Sequence, residues 1–202
     1  MLYIFPHNLA LGIEGLAMKT LPFDGNVESK AMKVGHVIDH LVDALGGEPA
    51  CTLRRAVILA DIDEHPGTTQ AGIIQRLRAD KSALNRDIEW LVDYGCLRRR
   101  PGADGREINL FTEGYSKRHL DLALSYFNNS HNSLKNFLIR YINLFGQHRP
   151  TLRDAKIVAA VGDKDPTNRQ QVFQTLYNGP QTTDNRAINN LIDLGILERK
   201  GT

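Results

Sequence analysis

Eight side chains between residues 81 and 106 are of the types that hydrogen-bond to a polyanion and to the edges of stacked bases: Lys81, Ser82, Asn85, Arg86, Arg98, Arg99, Arg100 and Arg106. Lysine and arginine donate to phosphate oxygens and to the acceptor edge of guanine, and an asparagine amide can match both groups on the edge of adenine. The first four recur at a spacing that gathers them on one side of a helix. Leu84, Ile88 and Leu91 take the other side, which gives that helix an apolar stripe to bury. Asp80 stands where an N-cap is wanted and Gly95 where a helix stops. Two short strands, Leu97–Arg100 and Glu107–Phe111, then flank Pro101–Arg106. From Leu97 to Arg106 four arginines face one aspartate, Asp104, a local charge of +3. A helix with polar opening turns fits a major groove, and an arginine-tipped hairpin beside it fits the backbone and the adjacent minor groove. The plainer alternative is a solvated helix followed by an ordinary basic hairpin, because charge runs are usually solvated faces.

The flanking residues favour the first alternative. Upstream, Thr69–Leu77 reads as a short helix with Thr69 as its N-cap. Three residues then lead into the next helix, the spacing of a helix-turn-helix. Downstream, Thr112-Glu113-Gly114 opens a further helix. From Thr69 to Gly114 the chain resembles the MarR family, the multiple antibiotic resistance regulators. The shared features are Thr69-Gln70-Ala71 opening the positioning helix, Lys81–Arg86 opening the recognition helix and Leu91–Gly95 closing it. The Asp104-x-Arg106 of the wing and Thr112–Gly114 complete them. The resemblance implies a mainly α chain with a small β-hairpin wing, folded as a dimeric winged helix-turn-helix that binds double-stranded DNA. On that analogy Arg106 enters the minor groove, held by Asp104. Thr69, Arg99 and Arg100 would position the protein on phosphates, while Lys81, Ser82, Asn85 and Arg86 reach base edges. Gln70 and Arg98 complete the expected DNA-binding set.

Composition sets bounds on the rest. At 202 residues the chain has room for one domain of ordinary size and a small second one. A hydrophobic content of 42% suffices for a core. The net charge of +2 is mild, so a nucleic-acid binder must concentrate its positive charge locally, as the hairpin does. Two cysteines, Cys51 and Cys96, make no disulfide framework, and a reducing cytoplasm is the default. The N-terminus has no early basic region and carries Glu14 within its apolar stretch, a poor signal peptide, and no segment reads as membrane-spanning. An enzyme is the least favoured class, with no cofactor implied. No Ser/His/Asp signature, phosphate-cradling glycine loop or Cys-x-x-Cys pair stands out. His36 and His40 are four apart and could share a metal, but no third ligand is near in sequence, so two helix-surface histidines is the preferred reading. Cys96 lies near Arg98–Arg100. An exposed thiol there would suit redox sensing; a small apolar residue at a helix end is the alternative.

Along the chain, the first 26 residues read as an arm with one short helix around Leu9–Met18. Val34, Val37, Ile38, Leu41, Val42 and Leu45 then mark a firm helix ended by Gly46-Gly47, and Thr52 caps a helix to about Glu64. Beyond the hairpin, Tyr115–Phe127 and Leu134–Phe145 are helical in pattern, with Asn128–Ser133 favouring a break. In the resembled family, helices from both ends of the chain interlock in a homodimer. The apolar stripes here fit that use, and ordinary packing within one chain is the alternative.

After Gly146–Pro150 the sequence repeats itself. Asn85-Arg86-x-Ile88-x-x-Leu91-Val92-Asp93-x-Gly95 recurs a hundred positions on as Asn185-Arg186-x-Ile188-x-x-Leu191-Ile192-Asp193-x-Gly195. Thr52-Leu53-Arg54-x-Ala56 recurs, one position closer, as Thr151-Leu152-Arg153-x-Ala155. We therefore expect a MarR-like unit over residues 1–149 and a second, smaller winged-helix-like unit over 150–202 that lacks a complete wing. Asp184, where the first copy has Leu84, reads as an N-cap that would make the second helix start later. From Gln181 to Thr202 three cations balance three carboxylates, so the second unit reads as a support or partner-binding module. The favoured function is a dimeric repressor at a pseudo-palindromic operator, with a small-molecule effector possible by analogy. The alternatives are a plasmid replication initiator with two winged-helix units, and a winged-helix protein-interaction module.

Overall fold

The computed structural model describes residues 2–4, 30–103, 105–146, 148–163, 168–176 and 180–199. The short helix expected around Leu9–Met18 lies outside them. The described residues are mainly helical, with nine helices and two small antiparallel sheets. In chain order they are β1 (Leu2–Ile4), α1 (Lys30–Ala44), α2 (Leu53–Glu64), α3 (Gln70–Leu77), α4 (Lys81–Asp93), β2 (Leu97–Pro101) and β3 (Ile108–Thr112). There follow α5 (Gly114–Ser125), α6 (His131–Leu144), α7 (Leu152–Asp163), α8 (Arg169–Thr175), α9 (Gln181–Asp193) and β4 (Leu197–Arg199). The expected break between α5 and α6 is present. Asn128 and Asn129 adopt left-handed φ of 52° and 57°, and the Ser130 hydroxyl accepts from the Ser133 N–H at 3.2 Å.

The repeat reaches further upstream than the sequence shows. The order α1–α2–α3–α4–β2 returns as α6–α7–α8–α9–β4. Val34, Val37, Ile38 and Leu41 on α1 and Leu45 just after it are buried, and so are their counterparts a hundred positions later, Leu134, Phe137, Leu138 and Tyr141 on α6 and Phe145 at its end. The helix stops repeat as well. Gly95 and Gly195 have φ of 68° and 67°, and the following N–H groups of Cys96 and Ile196 donate to the Leu91 and Leu191 carbonyls at 2.8 and 2.9 Å.

The two halves meet about a local two-fold axis. Thr52, at the start of α2, and Thr151, at the start of α7, form an antiparallel bridge. The Leu53 N–H donates to the Pro150 carbonyl at 3.0 Å, and the Leu152 N–H donates to the Cys51 carbonyl at 2.8 Å. Leu53 corresponds to Leu152 and Cys51 to Pro150, so each bond is the image of the other. The helices follow the same exchange: α1 packs along α7, and α2 packs along α6. Lys156 on α7 pairs with Asp39 on α1 and donates to the Gly35 carbonyl at 3.2 Å. Lys135 on α6 donates to Asp61 at 3.2 Å and to Glu64 at 2.5 Å on α2. Each fully buried apolar side chain contributes roughly 1.5–3 kcal/mol. The interleaved stripes therefore outweigh these lysine pairs, whose Coulomb gain is offset by desolvation. The buried apolar residues of α1 and α6 are covered within one chain, and α5 also lies along α1, while Tyr115, Leu122 and Ile139 remain exposed on α5 and α6.

One expectation for the second unit needs correction. Asp184 does not cap a late-starting helix. α9 begins at Gln181, the counterpart of Lys81, and keeps its first turn. Asp184 is instead 4% exposed, its Oδ1 3.3 Å from Nη1 of Arg153 on α7. Arg153 corresponds to Arg54, whose carboxylate partner in the first unit is Asp87. One copy thus has Leu84 with Asp87, the other Asp184 with Ala187. The ion pair between the two helices is kept with its acid moved by one helical turn, and that arginine makes the buried carboxylate tolerable. The second unit has no hairpin of its own after α9 among the described residues, and β4 finds its neighbour elsewhere. It pairs antiparallel with β1, in register from Leu2↔Arg199 to Ile4↔Leu197, in place of a hairpin.

Candidate nucleic-acid interface

Capping and a buried anchor hold the first helix pair. The Thr69 hydroxyl accepts from the Gly72 N–H at 3.3 Å to open α3, and Asp80 Oδ1 accepts from the Ala83 N–H at 2.8 Å to open α4. Between them Arg78 turns the chain in a left-handed conformation, φ 49°. Thr52 stands at the start of α2 as expected, but its side chain makes no cap bond. Behind α4 the Asp87 carboxylate is buried and accepts from Arg54 Nε at 2.7 Å, from Arg54 Nη2, and from Arg55 Nε at 3.0 Å. Arg55 also lies 4.2 Å over the Trp90 ring, which stacks on Tyr94 at 3.9 Å. Asp87, Arg55 and Trp90 are absent from the sequence-derived site. An aspartate in step with the apolar stripe was the available signal, but its arginine partners lie more than thirty positions away.

The front of α4 carries the expected donors. Lys81, Ser82 and Arg86 are exposed, and Gln70 is half-buried at the start of α3. Asn85 is half-buried, and its Oδ1 is enclosed with no hydrogen-bond partner among the described residues. An acceptor left unmade costs roughly 1–3 kcal/mol. A turn of the Asn85 side chain that brings this oxygen to a donor outside the chain would remove that cost.

The hairpin divides its arginines. Thr68 bridges Leu110, with bonds from Gly67 N–H to Leu110 carbonyl and Leu110 N–H to Thr68 carbonyl, both 2.9 Å, and this ties β3 to the helix pair. Strand alternation sends Arg98 and Arg100 to one face, 5.9 and 5.2 Å over the Phe111 ring, with Arg98 also 3.6 Å from Glu113. Arg99 points the other way and donates to Glu89 Oε1 on α4 at 2.6 Å. That guanidinium holds the Glu89 carboxyl below its usual range. The three consecutive arginines are therefore two separate surfaces. Arg106 is exposed near the tip; Asp104 lies outside the described residues, and with it the Asp104–Arg106 contact.

The second unit presents a related surface. Asn168 caps α8 in a reciprocal capping box with Gln171. Arg169 reaches from α8 across to α9, donating to Asn185 Oδ1 at 3.0 Å and Asn189 Oδ1 at 2.6 Å. Arg199 on β4 donates to Asn189 Oδ1 at 2.9 Å, in the place of the Arg99–Glu89 pair. Gln181, Thr182, Thr183 and Arg186 are exposed on the same helix.

The chain matches no protein-family model, and no curated protein matches it. Among the described residues no helix is long and apolar enough to cross a membrane. Cys51 and Cys96 are fully buried; burial pushes the Cys51 thiol up to about 12 and raises that of Cys96. Both occupy core positions as small apolar residues, without the exposed, electropositive setting that favours a thiolate. His36 and His40 both face Tyr126, at ring distances of 6.5 and 6.1 Å. His40 lies instead with Asp43 and, from α5, His119, ligand atoms within 4.8 Å of one another, a donor set of the type that holds divalent ions. Asp61, Glu64 and His65 form a second such group, but Arg76 and Lys135 already bond its carboxylates.

Proposed function

We propose that this protein is a sequence-specific double-stranded DNA-binding regulator of the winged helix-turn-helix type, similar to the MarR regulators, which works in the cytoplasm by occupying DNA and not by catalysis. The observation that carries the reading is Asn85. It stands between Lys81, Ser82 and Arg86 on the exposed side of a rigidly backed helix, with an enclosed amide oxygen that lacks a partner among the described residues. An adenine edge supplies the matching N6 donor and N7 acceptor. In this reading α4 enters the major groove, Thr69 and Gln70 at the start of α3 lie toward the backbone, and Arg106 on the hairpin reaches the adjacent minor groove. Bound protein would exclude polymerase from a promoter. Residues 1–149 carry this machinery, and 150–202 the repeat of its three helices; α6, before that boundary, repeats α1.

The test is a gel-shift titration on duplexes selected by the protein from a random pool. Asn85→Ala should reduce the preference for the selected site over unrelated DNA by about 1–3 kcal/mol. Arg106→Ala should weaken both alike and flatten the salt dependence. If both variants bind like the wild type, this surface does not contact DNA. A second reading, a replication initiator, is supported by the pairing of two units in one chain. It would select sites repeated in tandem near an origin.

A further inference from the structure

We propose that α9 is a second DNA-reading helix, so that one chain reads both halves of an inverted, non-identical site and its second unit takes the place of a second protomer. The inference rests on the reading that α4 contacts DNA.

Inverted half-sites require two reading heads related by a two-fold axis, which a homodimer ordinarily supplies. Here the axis lies inside the chain, between Thr52 and Thr151, with the reciprocal Leu53–Pro150 and Leu152–Cys51 bonds on either side. α9 has the same length as α4, starts at the equivalent residue and stops at the equivalent glycine. Its opening turn is intact, with Gln181, Thr182 and Arg186 exposed where α4 has Lys81, Ser82 and Arg86.

Folding takes one carboxylate of Gln181–Thr202 off the outer face. Asp184 is turned inward onto Arg153, so its charge is not offered to DNA. Arg169 joins from α8, and with Arg199 it bonds to Asn189 where the first unit has the carboxylate Glu89. Around Asn189 the surface is thus arginine and amide, with a carboxylate replaced by an amide, while Asp193 and Glu198 stay exposed elsewhere on the unit. The chemistry of the half-sites also differs. Arg169 occupies the oxygens of Asn185 and Asn189, so what these amides have left to offer is their N–H donors, suited to purine N7, guanine O6 or thymine O4. Asn85 Oδ1 is enclosed without a partner among the described residues and is not engaged by an arginine in this way.

The experiment uses the full chain. Sedimentation equilibrium is run on the protein alone and on its complex with a duplex selected from a random pool, followed by hydroxyl-radical footprinting. The expected result is a monomer, one chain per duplex, and two protected patches about 10 base pairs apart over unequal inverted half-sites. Asn185→Ala and, as a separate change of an exposed residue, Arg186→Ala should each lower affinity about 5- to 150-fold, and only for duplexes intact in the half-site that Asn85→Ala leaves unaffected. A dimer holding two chains per site overturns the inference, as does selection of a direct repeat. If Asn85→Ala weakens binding while both α9 variants bind normally, this inference fails and the reading of α4 stands. If no variant matters, the DNA reading itself fails.

Discussion

The displaced ion pair of the second unit can be moved back by mutation. Arg153 on α7 is 12% exposed and faces Asp184; Arg54, its counterpart, is 41% exposed and faces Asp87. Asp184→Leu restores the apolar residue of the first copy but leaves a guanidinium that water hardly reaches. Breaking a buried pair costs about 3–5 kcal/mol. The Arg153–Asp184 contact at 3.3 Å is not aligned as a hydrogen bond, and Asp184 itself is released from desolvation, so the low end, about 3 kcal/mol, is expected. For a chain of this size that lowers the melting temperature by roughly 6–12 °C. Adding Ala187→Asp puts a carboxylate one turn later, where Asp87 stands relative to Arg54, and should recover at least half of the loss. Equilibrium urea unfolding followed by circular dichroism measures both changes. If the double variant is no more stable than Asp184→Leu alone, the arginine does not select the position of its acid. If the single variant loses under about 1 kcal/mol, the pair does not fasten α9 to α7.

Two further predictions concern buried groups. Asp61 is 0% exposed; burial would raise its carboxyl pKa, but hydrogen bonds from Arg76 and Lys135 outweigh that and hold it below the ordinary value. Its folded pKa is the lower one, so its stabilisation is present above the unfolded carboxyl pKa and is lost as pH falls through the folded value. Asp61→Asn should therefore cost about 3 kcal/mol near neutral pH, and its stability curve should converge on the wild type's in acid; parallel curves would show that the charge is not responsible. Cys51 and Cys96, both buried with raised thiol pKa, should react with a disulfide reagent at pH 8 only as fast as the chain opens. Rapid labelling of the native protein, before any unfolding, would contradict that placement.

What could be read from sequence was local in origin. The caps at Thr69 and Asp80, the stop at Gly95 and the stripe Leu84–Ile88–Leu91 depend on residues within a turn or two of each other, and all stand as expected. Asp184 was misread because the rule that a carboxylate avoids a core position holds only without a partner, and Arg153 is remote in sequence. The kinship of α1 and α6 was hidden for another reason. Val34 against Leu134, Ile38 against Leu138 and Leu41 against Tyr141 keep burial and lose identity, since cores tolerate substitution that preserves patterning.

The apolar stripes pose the most general limit. A stripe says that something covers a helix, not whether the cover is the same chain or another. Here α7 covers α1 and α2 covers α6, so the two halves of one chain bury each other's stripes. That placement has a chemical consequence which a homodimer cannot share. Two identical chains present the same side chains to both half-sites, whereas two halves of one chain are free to diverge. The replacement of Lys81 by Gln181 and of Glu89 by Asn189 is divergence on the surface where reading would occur. The reciprocal bonds at Thr52 and Thr151 keep the two-fold relation while the side chains around it differ. An asymmetric site, with the positively charged half fixing affinity and the amide-rich half adding selectivity, is the form of DNA that such a molecule would fit.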